Sequence, residues 1–223
     1  MMKRLKIVTI TIVLLCICIS SNADVLVSDE AKMALETLVD STVPFITEKP
    51  NGKFTSCTGI VIKNKNDTTG ILTAKHCTTD AVNIYLGDFP DEQLKITGWK
   101  TSKDADIAYL MFDGTINRKT ISLAKRNPKL LEKVFTLGYP YEKTLFNYGR
   151  VVLFRKHHLV MNFEVIGGCS GSGIINKRHE LVGILWGGAN LKMGSYSIAT
   201  SIKKIREFLK SIKVIEQTMF LIK

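Results

Sequence analysis

Much is missing from this 223-residue sequence. It has no internal repeat, no heptad pattern and no low-complexity stretch, which excludes solenoids, coiled coils and fibrous chains. No metal-ligand cluster and no glycine-rich phosphate loop is visible, so neither a metal nor a cofactor is expected. The basic residues are not interleaved with aromatics, and no nucleic-acid-binding motif appears, so nucleic acid is not an expected partner. Acids are scarce, with 20 Asp+Glu against 31 Lys+Arg and a formal net charge of +11. That charge reads as a solvated basic surface, suited at most to attraction toward anionic envelopes or acidic substrates. Hydrophobic residues at 45% and charged residues at 23% are ordinary for a folded chain.

The apolar run Ile7 to Ile19 is about 13 residues long, short of the roughly 20 needed to cross a bilayer. It follows Lys3, Arg4 and Lys6 and precedes Ser21-Asn22-Ala23. This is the pattern of a secretory leader spanning 1–23, cleaved after Ala23, with an uncleaved anchor as the alternative. Removal leaves 200 residues, no stable membrane insertion, and a charge of +8, since three of the 31 basic residues go and no acid does. Cys16 and Cys18 leave with the leader. Cys57, Cys77 and Cys169 remain, in a secreted or periplasmic setting that permits a disulfide. Asn66-Asp67-Thr68 fits a glycosylation acceptor, which matters only along a eukaryotic secretory route.

Ser28-Asp29-Glu30 ahead of Ala31, Met33, Ala34, Leu35 and Leu38 predicts a short capped helix, ended by Pro44. Helical periodicity then nearly vanishes. Short β-rich runs follow at Thr58-Ile62, Gly70-Ala74, Val82-Leu86, Leu94-Trp99, Ile107-Phe112, Val134-Leu137, Arg150-Phe154, Leu159-Val165, Gly173-Ile175 and Leu181-Trp186. Many short strands at close spacing mean a β-barrel or sandwich. Arg118 to Leu131 is basic and could link two halves. Ile202, Ile205, Phe208, Leu209 and Ile212 restore a helical face, with Lys203, Lys204, Lys210 and Lys213 read as solvent-facing.

Three motifs carry chemistry. In Leu72-Thr73-Ala74-Lys75-His76-Cys77, a histidine follows a strand. Cys57 lies 20 residues before Cys77, and a bridge between them would fix the strand end that holds His76, worth about 3 kcal/mol. In Asp104-Ala105-Asp106-Ile107, either carboxylate could accept from an imidazole. In Gly167-Gly168-Cys169-Ser170-Gly171-Ser172-Gly173, small residues let the backbone turn sharply around an exposed hydroxyl and point N–H groups at an anion. A nucleophilic serine needs a base, and the base an orienting carboxylate.

His, Asp and Ser in this order resemble the chymotrypsin-like serine proteases, from about Val43 to Leu209. Gly138-Tyr139-Pro140, Leu181 to Gly188 and the final helix are similar to the bacterial glutamyl endopeptidase branch. The resemblance implies an all-β fold of two six-stranded antiparallel barrels with a short N-terminal and a C-terminal helix. The corresponding layout is 24–42 for the N-terminal segment with its helix and 43–117 for the first barrel. The linker is 118–131, the second barrel 132–200, and the final helix and tail 201–223. It implies a monomeric serine endopeptidase acting on polypeptides, with Ser170 as nucleophile, His76 as base and Asp106, rather than Asp104, as orienting carboxylate. The resemblance also implies that the N–H groups of Gly168 and Ser170 form the oxyanion hole and that Glu164, Val165, Leu185, Trp186 and Gly187 contact substrate. A protease-like binding protein with weak or no catalysis is the alternative. His157, His158 and His179 match no motif and read as surface residues.

Three positions depart from the family. Cys169 stands where the trypsin branch has the aspartate that binds a new N-terminal ammonium, so activation by that ion pair is not expected. It reads as a buried free thiol, with Ser170 keeping the nucleophile's register. Val165 and Leu185 replace the threonine and histidine that help the glutamyl branch hold a substrate carboxylate. Neither donates a hydrogen bond, so an apolar residue is expected before the scissile bond. Glu164, near the pocket base if the alignment has no gap, would favour Lys or Arg instead.

Overall fold

The structure, a computed structural model, describes residues 28–64, 68–87, 94–114, 116–191 and 194–215. The leader at 1–23 and Asn66-Asp67 of the acceptor triplet lie outside the described residues. Helix α1 (Asp29–Ser41) starts at Ser28, whose hydroxyl accepts the Ala31 N–H. Asp29 and Glu30 occupy its first turn, where the helix dipole favours them.

Six strands follow: β1 (Thr42–Glu48), β2 (Phe54–Lys63), β3 (Thr69–Thr73), β4 (Asn83–Leu86), β5 (Leu94–Thr101) and β6 (Ala108–Phe112). They close a barrel in the order β1-β2-β3-β6-β5-β4, with every pairing antiparallel. Closure leaves no unpaired edge. The connection carries β7 (Ser122–Leu123), which lies parallel to a strand of the second barrel. That barrel comprises β8 (Lys133–Gly138), β9 (Leu145–Arg155), β10 (His158–Met161), β11 (Gly173–Asn176), β12 (Glu180–Leu191) and β13 (Gly194–Ser201). Its order is β11-β8-β9-β10-β13-β12, closed by β11 against β12. Helix α2 (Ile202–Ser211) ends the described elements. The architecture is therefore two six-stranded antiparallel barrels with two helices.

Strand alternation joins the halves. In β2, Val61 faces the first barrel's own core, with Phe45, Ile71 and Leu110. Its neighbours Ile60 and Ile62 face the opposite way and join the core that fills the second barrel. Helix α1 packs Ala31, Ala34 and Leu38 into that second core, against β8.

The elements differ from the sequence reading in four places. Pro44 does not merely end a helix; it lies inside β1, opposite Thr58. Thr58 directs its N–H to the Ser170 carbonyl at 2.9 Å, and its C=O accepts from the Thr73 hydroxyl at 2.8 Å. The Pro44–Thr58 pair therefore needs no ladder bond, and the missing proline N–H leaves nothing unpaired. β13 has small polar residues at buried positions, Ser197, Thr200 and Ser201, which mask its apolar alternation. The run expected to Val165 ends at Met161, where Asn162 Oδ1 takes the Arg150 N–H at 2.7 Å in place of a ladder partner. Lys204 is buried at 8% exposure, held by Asp104 at 2.5 Å and Glu207 at 3.4 Å.

Candidate active site

His76 sits in a 3-10 turn, Lys75–Cys77, directly after β3. The Cys57–Cys77 disulfide ties this turn to β2, with Cα atoms 6.2 Å apart. Asp106 stands just before β6. Its Oδ2 lies 2.8 Å from His76 Nδ1, and its Oδ1 accepts the His76 backbone N–H at 3.1 Å. Burial pushes the Asp106 carboxyl up, but the hydrogen bonds from the His76 ring and backbone, with the ring's charge, outweigh it and leave it below its ordinary value. The Asp106 carbonyl accepts the Thr200 hydroxyl at 3.1 Å. Asp104, two residues away, meets Ser102 Oγ at 3.0 Å and Lys204 rather than the imidazole. The two carboxylates that sequence left side by side are thus divided between the site and α2.

Ser170 lies in the loop before β11. Its carbonyl is held by the Thr58 N–H and lies 3.7 Å from Cys77 Sγ, so the Ser170 backbone abuts the turn carrying His76. Among the described residues Ser170 Oγ makes no hydrogen bond to His76. Gly168 has φ +96°, and an added Cβ would stand 2.6 Å from Pro140 Cα and 3.0 Å from the Tyr139 carbonyl. Gly171 has φ +91°, with the Thr58 carbonyl 2.0 Å from where its Cβ would be. Both conformations belong to glycine. The Gly171 N–H reaches the Leu185 carbonyl at 2.7 Å and the Leu185 N–H returns to Ser172 at 2.9 Å, fastening the loop to β12. Among the described residues no protein acceptor takes the Gly168 or Ser170 N–H. Cys169 is free and buried, and burial raises its thiol above the usual range.

A family model, the trypsin-like peptidase domain, matches residues 57–184, more than half of the chain. The chain belongs to this family. Among solved structures it is similar to a serine endoprotease from Yersinia pestis, at TM-score 0.69 and 19% identity. That match covers 82% of this chain and 66% of the Yersinia chain, so the chain spans just under two thirds of that relative's length. It is also similar to a protease of M. tuberculosis in its active form, at TM-score 0.70 and 17% identity, covering 83% of this chain and 86% of that one. These likenesses are of fold. No curated protein matches the sequence.

A pocket of about 220 Å³ opens beside Ser170 in this peptidase domain. Val165, Leu185 and Gly187 line it, together with Ala189 and Tyr196, which the sequence reading did not single out. Glu164 also lines it, but its side chain is exposed rather than at a buried base. Among the described lining residues none is cationic.

Trp186, read with Val165, Leu185 and Gly187 from the sequence, does not line this pocket. The β12–β13 register slips between Leu185 and Gly187, leaving Trp186 as the extra residue of a bulge. A bulge re-aims its side chain, and Trp186 borders a second cleft with His76, Asp106 and His158. His158, read as a surface residue, is a correction. It is half-buried, set edge-on against Trp186 with centroids 5.4 Å apart. Burial lowers its pKa, with help from His157 and Arg155 and against the pull of Asp106. His179 is half-buried as well, and its Nδ1 lies 3.0 Å from the Thr37 hydroxyl. No sequence pattern marks His158, because its place depends on β10 pairing with β13.

Proposed function

We propose that this chain is an exported serine endopeptidase that cleaves polypeptides through an acyl-enzyme. Ser170 Oγ attacks the scissile carbonyl while His76 takes its proton through Nε2. The same imidazole then gives that proton to the leaving amine, and water repeats the cycle to release the acid product. Asp106 accepts from Nδ1, which fixes the tautomer and stabilises the imidazolium as it forms. The oxyanion of each tetrahedral intermediate lies between the N–H groups of Gly168 and Ser170, and one such donor is worth about 3 kcal/mol. The Ser170–His76 hydrogen bond closes in the substrate complex, as catalytic hydrogen bonds commonly do.

The observation that carries this reading is the two-point grip of Asp106 on His76, in a turn that abuts the Ser170 carbonyl. The leader pattern and the Cys57–Cys77 disulfide support an extracytoplasmic setting. Val165, Leu185 and Ala189 in the pocket wall, with no cation among the described lining residues, support a preference for an apolar residue before the scissile bond, in spite of the resemblance to the glutamyl branch. Labelling with a fluorophosphonate tests the chemistry. The protein is expected to label once, and Ser170→Ala not at all. Absence of label on the folded wild type would favour a protease-like binding protein.

A further inference from the structure

The oxyanion loop must hold two N–H groups aimed at one point, and peptide planes that rotate freely cannot do that. In the trypsin branch an aspartate beside the nucleophile anchors the loop through an ion pair. Here that position is the neutral, buried Cys169, which leaves open what anchors the loop.

We propose that Thr58 is the positioning residue that keeps the oxyanion loop preformed. It lies in β2 of the other barrel, with no exposed surface. Its hydroxyl donates to the Gly168 carbonyl at 2.8 Å and accepts the Tyr139 N–H at 3.0 Å. Its backbone N–H donates to the Ser170 carbonyl at 2.9 Å. One residue therefore fixes the peptide plane that follows Gly168 and the one that follows Ser170, which limits how far the adjoining planes that carry the two N–H groups can turn. The hydroxyl also ties that loop to Tyr139, whose carbonyl lies 3.0 Å from where a Gly168 Cβ would stand.

The clamp is itself held from behind. The Thr73 hydroxyl donates to the Thr58 carbonyl, and Thr73 ends β3, which leads into the His76 turn. Pro44, opposite Thr58, has no N–H to compete for that carbonyl. The hydroxyl has one proton and gives it to Gly168, so the Tyr139 N–H finds a lone pair and no polar group is left over. Such a loop needs no incoming charge to reach its working shape. Thr58 touches neither substrate nor reacting atoms; it acts through Gly168 and Ser170.

The inference rests on the serine-endopeptidase reading, and the experiment separates the two. If wild type fails to label with a fluorophosphonate, that reading fails. If wild type labels, Thr58→Val and Thr58→Ser decide the clamp. Valine keeps the shape and removes the hydroxyl. In Thr58→Val, kcat should fall about 10- to 100-fold with KM within about twofold, and inhibition by a peptide boronate, whose tetrahedral adduct uses the same N–H pair, should weaken in parallel. Thr58→Ser should return kcat to within about threefold of wild type, since it restores donor and acceptor. An unchanged kcat in folded Thr58→Val overturns the proposal, as does a rise in KM alone or failure of serine to rescue. Should Thr58→Val not fold, amide exchange in the wild type decides. A Tyr139 N–H exchanging at the rate of an open-loop amide overturns the clamp, and strong protection supports it.

Discussion

Asp106 meets His76 at two points, Oδ2 2.8 Å from the ring Nδ1 and Oδ1 3.1 Å from the backbone nitrogen. The second contact fixes where the carboxylate sits, and the first fixes how the ring turns. Asparagine would keep the shape yet place an amide against Nδ1, which favours the wrong tautomer. Asp106→Asn should therefore lower kcat by about 10³- to 10⁴-fold with little change in KM. Asp104→Asn should leave kcat within about twofold, because Asp104 serves α2 through Lys204. Steady-state kinetics on both variants checks this, and equal losses would overturn the assignment.

The same carboxylates predict a pH dependence of stability. Burial raises the Asp106 carboxyl, while the larger sum of His76 contacts holds it below the ordinary value. The hydrogen bond from Lys204, then that from Ser102, lowers Asp104. A carboxyl lowered on folding stabilises fully above its unfolded value of about 3.9, and that stabilisation is lost as pH falls through the folded value. Denaturant midpoints should ease down as pH falls below about 6.5, where the lowered His158 titrates in the unfolded chain, and drop again below about pH 4 as these carboxyls protonate. Asp104→Asn and Asp106→Asn should each make that drop shallower. A drop as steep in both variants as in wild type would show that other groups dominate.

The loop glycines are not equivalent. A Cβ on Gly168 meets the backbone of Pro140 and Tyr139 at a positive φ, and neither contact can give way. At Gly167 nothing lies within 4 Å. Gly168→Ala should cost more than about 100-fold in kcat, while Gly167→Ala should fold normally and label at Ser170 within about threefold of the wild-type rate. The ratio of the two labelling rates is the measurement.

Cys57 and Cys77 close a loop of 20 residues that joins β2 to the His76 turn. Replacing both with alanine should lower unfolding stability by about 3 kcal/mol in the chain-entropy account. A chemical-denaturation curve in non-reducing buffer reads that change. A shift under about 1 kcal/mol would mean that packing of this turn against Ser170, rather than the crosslink, holds it.

Some of this site is legible in the sequence for a simple reason. His76, Asp106 and Ser170 each stand beside a strand signal, and each motif is local. Thr58 is different. It is a small polar residue in a buried strand, and its importance depends on Gly168, 110 residues away. The placements of Trp186 and Lys204 escape the sequence for similar reasons. A one-residue bulge changes the face on which Trp186 falls, and an ion pair to Asp104 across 100 residues turns a helix lysine inward. The strands were readable because short apolar runs with turns between them repeat often, while their closure into two barrels was legible only through the family resemblance. β1 was not, because Pro44 imitates a helix stop.

Cys169 directly precedes Ser170, the proposed nucleophile, and could be mistaken for it. It is 3% exposed, and its thiol is pushed up by burial, which the hydrogen bond with Ile166 only partly opposes. The thiolate is the reactive form, so iodoacetamide at neutral pH should react with folded protein at least about tenfold more slowly than with unfolded protein. Cys169→Ala should still label at Ser170. Loss of label in a folded Cys169→Ala, or rapid alkylation with loss of activity, would reassign the nucleophile.

Specificity gives the sharpest separation between this chain and the branch its motifs resemble. A glutamate side chain entering the pocket would meet Val165, Leu185, Ala189 and Tyr196, with no cation among the described lining residues. A carboxylate left without a positive partner there loses several kcal/mol of hydration. A lysine or arginine could find Glu164, but that side chain is exposed, where an ion pair is worth about 1 kcal/mol or less. An apolar side chain loses no solvation and gains about 25 cal/mol for each Å² it buries. Digestion of a proteome-derived peptide library should therefore place apolar residues before most cleaved bonds. Glu164→Gln should change that profile little. Dominant cleavage after Glu would overturn the apolar reading, and dominant cleavage after Lys or Arg that disappears in Glu164→Gln would move specificity to Glu164.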